Sequence, residues 1–293
     1  MIRWSGRGLG IVTALLSTPY RFVRWTLDAM GYELTVRSRA SETRFRKGIN
    51  LNVGAGEYHL PGFISLDYIS EYYHGSKPAN KHLVHYDIRS DPLPYADGTV
   101  DNIYASHVIE HVESEHVERF IHEAFRVLKP GGVLRVVCPD AWYLYQVSSF
   151  DNDFWSWRRH QFEHDPRYLV EGEATPSDFL TRELASVKMR HYVHAGETTM
   201  PAFDVSERDY DALLMEFKSG LEFNPDLPGE HINGWDFKRL QPIGRDAGFE
   251  HVLESKHRGS VSAAMQGPDM DRTQPQMSLY VEMVKARTGS TPS

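Results

Sequence analysis

The stretch INLNVGAGEYHLPGFISLD, Ile49 to Asp67, decides the fold. Ile49 to Val53 reads as a buried strand, and Gly54, Ala55 and Gly56 end it in a glycine turn. Phe63 to Asp67 follows as a second short strand ending in an acid, and His82 to Asp87 as a third with the same ending. Val100 to His107 gives a fourth, apolar at Ile103 and Tyr104, with Ser106 and His107 at its exit.

Beyond the fourth strand, Val117, Phe120, Ile121, Ala124, Phe125 and Leu128 recur at helical spacing. Ser114 is placed to cap that helix, and Lys129, Pro130, Gly131 and Gly132 to end it. Val133 to Val137 then reads as a fifth strand, closed by Cys138, Pro139 and Asp140. A strand, helix and strand of this length form a parallel crossover, so the sheet is open and of the α/β type. In such sheets ligands bind outside the carboxyl ends of the strands. Gly54, Gly56, Asp67, Asp87, Ser106, His107 and Asp140 all fall there. Glycines let a ligand approach the backbone, and an acid after the second strand can accept both hydroxyls of a ribose.

Composition excludes other classes. The chain has 293 residues, 41% hydrophobic and 25% charged, which suits a packed globular domain rather than a disordered one. Its one cysteine, Cys138, rules out an internal disulfide and a cysteine-rich zinc site, and fits a reducing cytoplasm. The net charge of −8 is uneven, because residues 1–48 carry nine Lys or Arg against three acids. That asymmetry argues against a nucleic-acid binder and gives the N-terminus its own role. Its apolar positions, from Ile11 to Met30, follow helical spacing with Arg21 and Arg24 interleaved. The run is short of the roughly 20 residues that span a bilayer. A basic helix remains, with a membrane surface, a second subunit or the domain itself as its partner.

Asn52 to Gly56 and Pro61 to Asp67 resemble the first two motifs of class I S-adenosylmethionine (SAM) dependent methyltransferases. Asp87 through Leu93, Pro94, Asp97, Asp101 and Ser106 to Glu110 and His111, then RVLKPGGVL at 126–134, resemble the later ones. The short Gly56 to Asp67 loop, with Trp235 to Phe249 and Ser278 to Lys285, narrows the likeness to methyltransferases associated with glycan and surface-polysaccharide pathways. The resemblance spans about residues 48–140 and 230–286. It implies a Rossmann-like, mostly parallel sheet with helices on both faces, an antiparallel C-terminal edge strand and a lid insertion. It also implies SAM as cofactor, held by Asn52, Gly54, Ala55, Gly56, Asp67, Tyr68, Asp87, Ile88 and Ser106. A nicotinamide dehydrogenase is disfavoured, since His59 stands where the third glycine of its fingerprint belongs and Asp67 follows Gly56 by only 11 residues.

The implied activity is methyl transfer to oxygen on a sugar or glycosylated metabolite. A non-sugar small molecule is the alternative acceptor, and a silent methyltransferase-fold interaction module the alternative of another class. For a hydroxyl acceptor the base candidates are His107, Asp140 and His194, whereas a carboxylate acceptor needs none. Residues 141–232 are rich in aromatics, among them Trp142, Tyr145, Phe162 and Tyr168, and read as a lid over the acceptor. Their histidines, with His191 and His194 the nearest to a pair, show no metal-ligand motif, so no metal is expected. The division is then 1–47 basic extension, 48–140 SAM-binding core, 141–232 lid, 233–286 completion of the core and 287–293 tail. In the fourth segment Phe237 to Ala247 forms a helix stopped by Gly248, and His251 to Lys256 pairs with Leu279 to Val284 as an antiparallel edge. Homo-oligomerisation stays open.

Overall fold

The computed structural model describes residues 47–56, 58–69, 83–151, 153–159, 174–197 and 199–287. The basic N-terminal extension, the aromatics Phe162 and Tyr168 and the tail 288–293 lie outside the described residues. Seven strands form one sheet: β1 Asn50–Val53, β2 Ile64–Asp67, β3 Val84–His85, β4 Val100–Ser106, β5 Leu128–Pro139, β6 His251–Glu254 and β7 Ser278–Val284. Their order is β3-β2-β1-β4-β5-β7-β6. All pairings from β3 to β5 are parallel, and β7 runs antiparallel to both β5 and β6. The expected antiparallel pair therefore closes the sheet, with β6 outermost.

Alternation along the strands sorts the core into two faces, since successive side chains in a strand point to opposite sides. Ile103 and Ala105 of β4, Leu134, Val136 and Cys138 of β5, and Leu279, Val281 and Met283 of β7 join one cluster. Helix α1, Ser114–Val127, seals that cluster with Val117, Phe120, Ile121 and Ala124 of the expected stripe and with Val127, while Phe125 is partly buried and Leu128 already begins β5. Helix α2, Phe237–Asp246, adds Leu240, and Gly248 follows it with φ 103°. The alternate residues Tyr104, Val133, Val137 and Tyr280 face the other way, against Leu60, Phe63, Met265 and Met270 from loops.

Arg135 and Glu282 lie on that second face, and both are buried. The guanidinium reaches Asp271 at 2.6 Å, Glu282 at 3.2 Å, the Ser255 hydroxyl at 3.1 Å and the Lys256 carbonyl at 2.9 Å. Asp271 sits at φ 53° in the loop between β6 and β7, so this network clasps the loop onto the sheet.

Three expectations need correction. Ser114 does not cap α1: Glu113 holds that position without a side-chain bond, and the Ser114 hydroxyl accepts instead from Asn233 Nδ2 at 3.1 Å and from Lys218. The third strand is only Val84–His85, because Asp87 opens a turn whose carbonyl accepts from Ser90 and Asp91. Lys129 to Gly132 is no break outside the sheet but an irregularity within β5, where the register with β4 shifts between Val100 and Asn102 and Gly131 takes φ 78°.

Residues 141–232 build an apolar centre of their own. It joins Ala141, Leu144 and Val147 of α3, Ala141–Phe150, to Phe179, Leu180 and Leu184 of α4, Pro176–Leu184. Leu213, Leu214 and Phe217 of α5, Tyr210–Lys218, complete it, and Trp155 stacks on Phe179 with ring centroids 5.1 Å apart. No helix of the described residues is long and apolar enough to cross a membrane.

Candidate active site

A cleft opens at the carboxyl ends of β1 to β4. Gly54, Gly56, Asp67, Tyr68, Asp87, Ile88 and His107 line it, together with Tyr86, Arg89, Val108, His111, Phe223 and Pro228. Gly54 and Gly56 take φ values of 66° and 53°, in the left-handed region that costs other residues strain. A Cβ on Gly56 would meet nothing within 4 Å, so the cleft reaches the backbone there, whereas one on Gly54 would overlap Val108 Cγ2. We expect Gly54→Ala to cost about 2–4 kcal/mol in urea unfolding, from strain plus overpacking. Adding Val108→Ala should recover the packing part alone. A loss below 0.5 kcal/mol, on the order of a neutral surface change, would show that this turn tolerates a side chain.

The loop after β1 contains no helix among its described residues, and Asp67 spans its short distance. One carboxylate oxygen accepts from the Gly56 amide at 2.6 Å and the other from the Tyr68 amide at 2.7 Å. Asp87 is held differently: Arg89 grips both of its oxygens, with Nη2 at 2.7 Å and Nε at 3.0 Å. The same guanidinium lies 3.8 Å from the centre of the Phe223 ring, which also meets Tyr68 edge-on. Phe223 belongs to the insert, so the insert supplies one wall of this cleft. Arg89, Phe223 and Pro228 had no signal in the sequence beyond the nearness of Arg89 to Asp87.

The cleft fits the SAM implied by the sequence. Besides the open space at Gly56, the Tyr86 hydroxyl is buried in the lining with no hydrogen-bond partner among the described residues, as expected of a group kept for a ligand. Asp67 and Tyr68 would hold the ribose, Asp87, Ile88 and Tyr86 the adenine, and the glycine turn the methionine end. Asn52, Ala55 and Ser106 lie beside the cleft without lining it, and Asn52 and Ala55 are buried.

His107 stands at φ 55° with both ring nitrogens engaged: Nδ1 lies 2.9 Å from Glu110 Oε1 and Nε2 3.0 Å from the Ser278 hydroxyl. Burial would raise the Glu110 carboxyl, but the attraction and hydrogen bond of His107, with His111 and His231 beyond, hold it at about 2. Burial pushes His231 down to about 4, and His111 repels its charge further.

The other two base candidates are not in this cleft. His194 is exposed and lines neither this cleft nor the second cavity that Asp140 faces. Asp140 caps α3 through the Tyr143 amide at 3.0 Å and lines that second cavity. Burial raises its carboxyl to about 6 despite that amide, and Glu254 and Asp236 add repulsion. Trp142, Tyr145 and Tyr210 wall the second cavity, with centroid separations of 4.9 to 5.7 Å. Asp209, Asp211, Asp236 and Glu254 are among its described lining residues together with Lys238, and Arg239 pairs with Asp211 and Asp236, so the acids still outnumber the cations.

Residues 64–136 match the family model of a methyltransferase domain, which starts just past the glycine turn. None of the curated proteins matches the sequence. Among solved structures, a SAM-dependent methyltransferase from Archaeoglobus fulgidus is 11% identical over 84% of this chain and 90% of its own, at a TM-score of 0.40. The SAM-dependent methyltransferase SibL is 14% identical over 85% of this chain, at 0.38, and the CMeT domain of the citrinin polyketide synthase 12% over 82%, at 0.36. The chain spans about half of those last two, 53% and 46% of their lengths. The matched segment runs from β2 through most of β5 and includes the ends of β2, β3 and β4 that line the first cleft, so this part of the chain is similar to a methyltransferase domain.

Proposed function

We propose that the protein methylates a hydroxyl of a sugar or glycosylated metabolite that carries no anionic group. The second cavity carries this reading. Its aromatic walls suit the apolar faces of a sugar ring, and its carboxylates can accept hydrogen bonds from hydroxyls or an amine. The same carboxylates repel phosphorylated or acidic acceptors, which separates sugars among themselves as well as from other metabolites.

SAM supplies an electrophilic methyl on a sulfonium, so the chain's own task is to position the acceptor and take its proton. Asp140 is our candidate base: it lines the second cavity, and a carboxyl near 6 is ionised at neutral pH yet more basic than an ordinary one. That cavity shares no lining residue with the cofactor cleft, so the acceptor hydroxyl has to reach from it to the methyl group. The geometry gives His107 a positioning role, because its two nitrogens are bound to Glu110 and Ser278. The native state favours protonated Asp140, so this residue's stabilising share is present at low pH and lost as pH rises through about 6. Catalysis should run the opposite way.

The test is transfer of a labelled methyl from SAM to a panel of neutral, amino and acidic sugars and non-sugar phenols. Neutral or amino sugars should be methylated, with kcat/KM rising through pH 6, and Asp140→Asn should lower kcat about 100-fold and flatten that limb. Preference for phenols or acidic sugars would overturn the acceptor class, and an unchanged limb in Asp140→Asn would overturn the base. A protein that binds no S-adenosylhomocysteine and transfers no methyl would be a silent interaction module.

A further inference from the structure

Glu110 and His111 end a short 3-10 turn, Ile109–His111, and His231 arrives from the insert 120 residues later. One ligand atom from each lies within 4.8 Å of the others. The two segments are fastened together by backbone: the Ile232 and Asn233 amides both donate to the Glu110 carbonyl, at 2.8 and 3.1 Å. Trp235 Nε1 donates to the Ile109 carbonyl at 3.0 Å. The juxtaposition is thus built into the fold rather than left to side-chain chance.

The hydrogen bonds fix what each ring offers. His111 Nδ1 lies 2.9 Å from the Glu230 carbonyl, and His231 Nδ1 bonds the Glu183 carbonyl. A carbonyl oxygen only accepts, so each Nδ1 carries the proton and each neutral ring is left with an unprotonated Nε2. His111 Nε2 stands 4.0 Å from Glu110 Oε1, and the two rings meet edge-on with centroids 4.8 Å apart. The Glu110 side chain is 1% exposed, and its Oε2 has no hydrogen-bond partner among the described residues. Two imidazole rings and a buried carboxylate therefore come together, and although His107 Nδ1 stands 2.9 Å from Glu110 Oε1, the Oε2 oxygen keeps no partner among the described residues. An acceptor-rich cluster with an unpartnered buried carboxylate oxygen is chemically suited to a cation.

We propose that Glu110, His111 and His231 bind one divalent transition-metal ion of the zinc class at the edge of the cofactor cleft. Imidazole ligands select such ions over magnesium and calcium, which prefer all-oxygen sites. Backbone carbonyls behind both Nδ1 atoms are the outer-shell partners that orient metal-binding histidines. Ligands of a tetrahedral ion at about 2.1 Å stand about 3.4 Å apart, so the three side chains need to close by little more than an ångström. Three protein ligands leave a fourth position, and His111, which lines the cleft, sets that position at its margin. The ion cross-links the insert to the core there.

The full chain is stripped with a chelator and titrated with Co²⁺, followed by its visible absorption, with Zn²⁺ as competitor. One equivalent should bind, Zn²⁺ should displace it, and Zn²⁺ should raise Tm by mass action. His231→Ala and Glu110→Gln should each weaken binding at least 100-fold, more than the 10–100-fold typical of losing an outer-shell partner. His191→Ala, in the insert but outside the triad, should bind as the parent does. Circular dichroism and S-adenosylhomocysteine binding identify variants that stay folded, and the isosteric Glu110→Gln keeps the test decisive if His231→Ala does not. Absence of binding at 100 µM Zn²⁺, about 5.5 kcal/mol of affinity, or equal binding by the parent and a folded triad variant, would overturn the site. The readout needs no methyl transfer, so failure here and failure of the acceptor reading are distinguishable.

Discussion

Arg135→Met should destabilise the fold by about 3–5 kcal/mol, because it strands two buried carboxylates without their cation. Arg135 and Asp271 have fully buried side chains, and that of Glu282 is 1% exposed. Asp271 keeps the Arg258 amide at 2.6 Å and the Tyr104 hydroxyl at 3.2 Å, and Glu282 the Val261 amide at 2.9 Å, neutral donors that are too little to hold two charges out of water. Urea unfolding of the single variant should show the loss. The triple variant Arg135→Met, Asp271→Asn, Glu282→Gln should recover most of it, since removing all the charges also removes their desolvation cost. A single-variant loss under about 1 kcal/mol, the range of an exposed pair, would mean that water reaches the network.

Asp67→Ala should weaken S-adenosylhomocysteine binding by about 30-fold or more. The carboxylate serves twice: it is placed to accept from the ribose, and it holds the turn through the Gly56 and Tyr68 amides. Charge-assisted bonds to a ribose contribute about 2 kcal/mol or more, and freeing the Gly56 amide loosens the backbone the ligand must approach. Calorimetry with S-adenosylhomocysteine measures it, and an unchanged Kd would remove Asp67 from the cofactor site. Asp67→Asn separates the two roles, because an amide oxygen still accepts one backbone bond but brings no charge.

The elements legible in the sequence are those whose pattern is local. The stripe of α1 follows from one buried side, the apolar runs within β4 and β7 from burial on both faces, and the stop at Gly248 from a positive φ of 103°. β3 was overextended because its apolar run contains a turn at Asp87, and a run does not show where a carbonyl is claimed by Ser90. Asp140 reads as a base candidate at the ligand-binding end of the sheet because it follows a strand. The rule places residues at one end of the sheet and leaves open which cavity they enter, and capping α3 turned this one toward Trp142. The triad of Glu110, His111 and His231 was invisible for a different reason: spacing reveals ligands within one element, and these are joined by a backbone staple between distant segments.

The wall that Phe223 gives the cofactor cleft has a kinetic consequence. Arg89 links the Asp87 carboxylate to the Phe223 ring, so a cofactor that engages Asp87 bears on a residue of the insert. The insert also carries Trp142, Tyr145 and Tyr210 of the second cavity. Because one element borders both cavities, the expected result in steady-state kinetics is an order of addition with the cofactor first and its demethylated product last to leave. Product inhibition competitive with SAM and noncompetitive with the acceptor is the steady-state signature of that order.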